Sequence, residues 1–171
     1  VSLIRSDEQK YLFTYNELSL PLTVKIQNTG DTLATYQYAG NMSTLEKLTY
    51  ANGDNVTFGY NTLRQVTSET WKNYSGAEVA KYTFQYDMAG NVARAIDKTT
   101  EKEYNYTYQD GRLVRVTEKT EGSSVFDGPI FDYAYDKDGN LTRKDVYDGE
   151  GVNSDLIHHV YSVSEVADRK E

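Results

Sequence analysis

The chain has no cysteine, two prolines, two histidines and one tryptophan in its 171 residues. Each shortage excludes something. Without a thiol there is no cysteine nucleophile, no thiolate metal site and no disulfide framework. The two histidines are adjacent, at His158 and His159. On a strand, adjacent side chains point to opposite faces, which suits joint metal ligation poorly. No apolar run is long enough to span a bilayer, and no signal-peptide pattern or initiating methionine is present. The chain begins and ends inside repeat-like sequence, as expected of a piece of a longer protein. Basic residues are also too few for a nucleic-acid partner. Eighteen Lys and Arg against 26 Asp and Glu give a net charge of −8, and nucleic-acid affinity depends on neutralising phosphates with cations. The acidity reads as a solubility device.

Catalytic motifs are missing as well. Neither G-x-S-x-G nor H-E-x-x-H occurs. Asp136-Lys-Asp-Gly-Asn140 has the composition of a calcium loop, but counting Asp136 as position 1 puts Gly139 at 4 and Tyr147 at 12. The EF-hand needs Gly at 6 and Glu at 12. Carboxylates are plentiful, yet they sit at turns and polar faces with no convergent pair of the glycosidase kind. The expectation is a non-catalytic protein without cofactor or metal.

What the chain has is aromatic residues: 16 Tyr, five Phe and one Trp. Most fall into triplets spaced by two: Tyr11/Phe13/Tyr15, Ala34/Tyr36/Tyr38, Val56/Phe58/Tyr60, Tyr82/Phe84/Tyr86, Tyr104/Tyr106/Tyr108 and Phe131/Tyr133/Tyr135. Residues i, i+2 and i+4 of a strand share one face. The last residues of the triplets stand 23, 22, 26, 22 and 27 apart, so each triplet is one strand of a unit repeated about every 24 residues. After each triplet comes turn chemistry. Asp87, Gly90 and Asn91 follow Tyr86, Asp110 and Gly111 follow Tyr108, and Asp136, Gly139 and Asn140 follow Tyr135. An Asp side chain accepts backbone N–H groups in an Asx-turn, and Gly takes a positive φ without a Cβ clash. An apolar residue then lies across from the anchor: Val66, Val92, Leu113 or Leu141. The units at Tyr15, Tyr38 and Tyr60 depart at the Asp or the Gly, which leaves their turn geometry open. Trp71 to Ala80 reads either as an extended β-excursion or as a surface loop. Ile157 to Glu171 reads as a seventh, degraded copy.

The stretches Phe84-Gln-Tyr-Asp-Met-Ala-Gly-Asn-Val92 and Tyr133-Ala-Tyr-Asp-Lys-Asp-Gly-Asn-Leu141 resemble the YD repeats of the RHS family. The resemblance extends over essentially the whole chain as one array, residues 1–171, of about six to seven units. It implies an all-β fold: an array of antiparallel β-hairpins forming one long curved sheet, an arc of an RHS-type shell. The function it implies is structural, as part of a secreted or cell-surface bacterial shell that encloses or presents a C-terminal toxin or effector domain. The self-cleaving aspartyl segment of such proteins carries a D-P-x-G-type motif, and Asp127-Gly-Pro129 does not match it. The expected partners are neighbouring repeats, an enclosed toxin domain or a glycan, with unpaired strand edges open to edge-to-edge self-association.

The aromatic face is the candidate site, with Tyr60, Tyr86, Tyr106, Tyr108, Tyr133 and Tyr135 as its candidate ligand-binding residues. One reading makes it a packed ladder that holds hairpins together, since aromatic cross-strand pairs contribute about 0.2–1 kcal/mol each. The alternative is a carbohydrate-binding module using the tyrosine-lined face. Tyr in place of Leu suits a wet cavity, because each ring carries a hydroxyl that needs a hydrogen-bond partner.

Overall fold

The computed structural model describes residues 2–4, 10–40, 43–147 and 157–159. The region assigned to a seventh copy lies outside these except for the backbone of 157–159, so the side chains of His158 and His159 are not described. Every regular element among the described residues is a strand: β1 (Ser2–Ile4), β2 (Lys10–Tyr15), β3 (Pro21–Ile26), β4 (Thr32–Tyr38), β5 (Leu45–Tyr50), β6 (Asn55–Tyr60), β7 (Val66–Lys72), β8 (Glu78–Tyr86), β9 (Val92–Asp97), β10 (Lys102–Gln109), β11 (Arg112–Thr120), β12 (Ile130–Tyr135), β13 (Leu141–Tyr147) and β14 (Ile157–His159). They hydrogen-bond in the order in which they occur in the chain, in one sheet. The expected fold class is therefore what the chain adopts: all-β, built of consecutive antiparallel hairpins.

The chain divides into two compact units, residues 1–84 with 97–99 and residues 85–96 with 100–171. In the first, the register alternates two kinds of face. Phe13 lies opposite Val24, Tyr36 opposite Leu48, and Val56 between Leu48 and Trp71. The other face is a row of hydroxyls and lysines, in which Thr14 faces Thr23 with their oxygens 2.7 Å apart, and Thr57 faces Lys47 and Thr70. Residues of this kind suit a pleated, half-buried surface. Val56 is the most buried side chain of the protein's described part, at 1% exposure.

The second unit repeats the arrangement with charge on the polar face. Tyr106 lies opposite Val116, and Val116 opposite Phe131. On the reverse face Glu103 is buried and accepts hydrogen bonds from Arg94 and Asn105, with Lys119 Nζ at 3.4 Å. The Arg94 guanidinium beside it is the main reason its carboxyl lies well below the ordinary 4.5, at about 2. Further along, Arg115 forks onto both Asp132 oxygens at 2.6 Å, and Arg143 pairs with Asp145 at 2.8 Å. Each cation lies on the strand beside its carboxylate or two residues from it on the same strand, which the period-2 alternation places on one face.

The turns explain why such different sequences give the same hairpin. Asn16, Asn61, Asn73, Asp87 and Asp136 each open a five-residue turn, closed by a backbone bond from the first residue to the carbonyl of the fifth at 2.9–3.0 Å. The side-chain Oδ1 of the first residue accepts the N–H of the fifth at 2.8–3.0 Å in all five. Asn supplies this oxygen as well as Asp does, so the loss of Asp at Asn16 and Asn61 leaves the turn unchanged. The fourth residue is left-handed throughout, with φ of 85–92° at Gly76, Gly90 and Gly139 but 60° at Ser19 and 63° at Arg64. A residue with a Cβ is strained there. The turn that Asn73 opens settles the open segment: Trp71 to Ala80 is the tip of a β7–β8 hairpin. Asp110-Gly111 makes a two-residue turn with both φ positive, 50° and 75°, the type I′ geometry that joins twisted strands.

Candidate functional site: the tyrosine face

All six candidate tyrosines are half-buried. Tyr60 ends β6, Tyr86 ends β8, Tyr106 and Tyr108 belong to β10, and Tyr133 and Tyr135 to β12. The structure separates them into two chemical classes by position within the triplet.

In four triplets the final tyrosine is a fastener. Beside it every hairpin with a described register carries a β-bulge: between Thr14 and Tyr15, Gln37 and Tyr38, Gly59 and Tyr60, Thr107 and Tyr108, and Ala134 and Tyr135. In each, the residue opposite the tyrosine is followed by one extra residue: Leu22, Glu46, Thr67, Val114 or Thr142. A bulge disrupts the ladder locally and leaves a backbone group to be satisfied otherwise. The next unit supplies the partner. The hydroxyl of Tyr38 donates to the Pro21 carbonyl at 2.9 Å, and that of Tyr60 to the Leu45 carbonyl at 2.6 Å. In the second unit, Tyr108 donates to the Val92 carbonyl at 3.1 Å and Tyr135 to the Leu113 carbonyl at 2.8 Å. Burial raises the Tyr38, Tyr60 and Tyr108 phenols above their ordinary 10, so these hydroxyls stay protonated and donate.

The middle tyrosine makes no such bond that the pattern repeats. Tyr106 and Tyr133 are raised chiefly by burial, and Lys144 lies 4.8 Å over the Phe131 ring and 5.9 Å over Tyr133. A cation over an aromatic face adds a modest electrostatic attraction. Arg112 takes the same role over Tyr135 at 5.9 Å and also donates to the Asp136 carbonyl at 3.4 Å, tying two neighbouring turns together.

This distinction was present in the sequence. All six final positions are Tyr, whereas the middle positions are Phe13, Tyr36, Phe58, Phe84, Tyr106 and Tyr133. A position that uses its hydroxyl tolerates no Phe, and one that uses only its ring takes either. The turn residues Asp87, Gly90, Asn91, Asp110, Gly111, Asp136, Gly139 and Asn140 shape backbone. The Asp87 and Asp136 carboxyls are held below the usual range first by the side-chain amides of Asn91 and Asn140 and then by backbone N–H groups. Among the described residues no three His, Cys, Asp or Glu side chains are grouped as metal ligands.

No protein-family model matches the chain, and no curated protein does. Solved structures do. The crystal structures of TcdB2-TccC3-TEV and TcdB2-TccC3-Cdc42 each superpose with a TM-score of 0.70 over 91% of this chain, at 13% identity. This chain has the fold of the part it matches. It spans 9% of the length of those chains. A porin-like protein from Bacteroides uniformis superposes at 0.45 with 14% identity over 91% of both chains, too low to argue from. The likeness to the TcdB2-TccC3 chains carries the fold alone, a sheet of antiparallel hairpins.

Proposed function

We propose that the chain is a wall segment of an RHS/YD-type shell: a non-catalytic repeat array that, with further repeats, encloses or presents a C-terminal toxin or effector domain. In this reading it acts as part of a larger secreted or cell-surface bacterial protein. The observation that carries it is the tyrosine fastener. A hydroxyl from each of four triplets reaches back to a backbone carbonyl of the hairpin before it, three of them beside a described bulge, so the units interlock through backbone. Such an array can be extended by repetition, because each unit contacts only its neighbours. It can also form a wall with water on one side, because the tyrosine rings remain half-buried and carry hydroxyls that water can meet. The 0.70 superposition on the TcdB2-TccC3 chains supports the same reading.

The test is protease protection in the full-length protein that contains this chain. The domain C-terminal to the repeats is expected to survive trypsin while the shell is intact. It should be digested once the shell is opened by alkaline pH or by Tyr→Phe changes at several fasteners. A C-terminal domain cut equally fast in the intact protein and in isolation would refute enclosure.

A further inference from the structure

One cleft in the first unit stands apart from the repeat. Trp71, the chain's single tryptophan, lies nearly parallel to Tyr50, with ring centroids 6.1 Å apart and 12° between planes. Its indole N–H donates to the Glu69 carboxylate, which fixes the ring's orientation. Two further bulges, away from the fasteners, adjoin this pair. In β3–β4 the extra residue is Leu33, and in β7–β8 it is Val79. Bulges re-aim side chains, and both Leu33 and Val79 line the cleft of about 440 Å³ that Tyr50 and Trp71 also line. Asn52, Asp54 and Lys72 form its polar rim. The Asp54 carboxylate is held in place, one oxygen accepting the Asn52 amide at 2.7 Å and the other the Tyr74 backbone N–H at 2.9 Å. Both oxygens keep lone pairs for a ligand. The cleft is open, with Tyr50 37% and Val79 52% exposed.

This lining selects a chemistry. Parallel aromatic rings offer a flat apolar surface to C–H groups. The rim supplies acceptors in Asp54 and Asn52 and a donor in Lys72, and the charges of Asp54 and Lys72 offset each other. A ligand with one C–H face and an edge of hydroxyls uses every part of this site, whereas a strongly charged ligand meets an opposing charge on the rim. We propose that the Tyr50–Trp71 cleft is a carbohydrate subsite that takes one pyranose ring of a neutral glycan. It rests on the carbohydrate reading of the sequence, but moves the site from the tyrosine stripe to the tip of the β5–β6 and β7–β8 hairpins.

Trp71 is the sole tryptophan, so its fluorescence reports this cleft alone. The 171-residue chain is titrated with cellotriose, chitotriose and maltotriose, and separately with tetramethylammonium. At least one trisaccharide should give a saturable shift, half-complete between about 0.1 and 5 mM. Val79→Lys, at an exposed position beside the rings, should weaken it about tenfold or more, as should Asp54→Ala, with the far-ultraviolet circular dichroism unchanged. Tyr133→Ala should leave it as it was. Absence of a saturable shift with all three sugars up to about 20 mM overturns the proposal. So does saturation by tetramethylammonium alone, which would make the cleft a cation cage. Loss of binding in Tyr133→Ala with none in Val79→Lys would overturn it too, by returning the glycan to the tyrosine stripe. None of these outcomes bears on enclosure, which protease protection tests separately.

Discussion

Tyr60→Phe removes a single oxygen and leaves the ring in place, so its cost isolates the fastener. The Tyr60 hydroxyl reaches the Leu45 carbonyl at 2.6 Å in a partly buried site. A neutral hydrogen bond contributes about 0.5–1.5 kcal/mol net, and a buried carbonyl left without a donor costs about 1–3 kcal/mol. Partial burial lets water reach this carbonyl, which places the expected loss near 1 kcal/mol. Tyr135→Phe, with its donor at 2.8 Å from the Leu113 carbonyl, should behave alike. Tyr133→Phe, at a middle position, should cost less than about 0.5 kcal/mol. Urea titration followed by circular dichroism gives the three values side by side. Because an array need not unfold as one body, amide exchange adds a local reading. Amides of β5 should open sooner in Tyr60→Phe, and those of β11 in Tyr135→Phe. Equal losses at middle and final positions, or no loss at either, would refute the separation into two classes. A loss confined to the substituted strand, with its predecessor unaffected, would refute the claim that the bond joins units.

The turns predict opposite signs at one position. Arg64 holds a φ of 63°, so Arg64→Gly should raise stability by about 0.5–1 kcal/mol, while Gly139→Ala, at 92°, should lower it by about 1 kcal/mol or more; thermal melts decide both. Asn73→Ala removes the acceptor for the Ser75 and Ala77 N–H groups, at 3.1 and 3.0 Å, and should cost about 1–2 kcal/mol, read as faster exchange at the β7–β8 tip. For pH, the Glu103 carboxyl is lowered from 4.5 to about 2. A lowered acid stabilises the fold above its unfolded value and loses that contribution as pH falls through the folded one. Up to about 3 kcal/mol should therefore disappear between roughly pH 4.5 and 2. Stability in Glu103→Gln should fall less steeply across that window, and a parallel acid limb would refute the assignment.

The period was legible because most of the 22 aromatics stand in triplets that alternate with other residues at period 2. Tyr104-Asn-Tyr-Thr-Tyr108 admits no other regular reading. The turns at Asp87 and Asp136 were legible because Asp and Gly stand at the positions that need an acceptor and a positive φ. The hairpin at Asn73 is ambiguous in the sequence although Asn73-Tyr-Ser-Gly76 has the same spacing of acceptor and glycine as Asp136-Lys-Asp-Gly139. The signal was there, and only the Asp-to-Asn change hid it. The fastener was half legible. The all-Tyr final position marked it, but the acceptor is a backbone carbonyl freed by a bulge, and no side chain encodes that. The Tyr50–Trp71 cleft was not legible. Its two rings lie in different hairpins, and the residues completing it, Leu33 and Val79, are turned to it at bulges that break the alternation from which a face is read.

The fastener has a direction. In every case described, the later triplet gives the proton and the earlier hairpin holds the acceptor: Tyr38 to Pro21, Tyr60 to Leu45, Tyr108 to Val92, Tyr135 to Leu113. A ribosome makes the acceptor first. Each of these four acceptor carbonyls leaves the exit tunnel with its hydroxyl about 15–22 residues behind it. An array fastened in this direction is suited to assembly in the order of translation, the newest hairpin being the one whose lock is not yet closed.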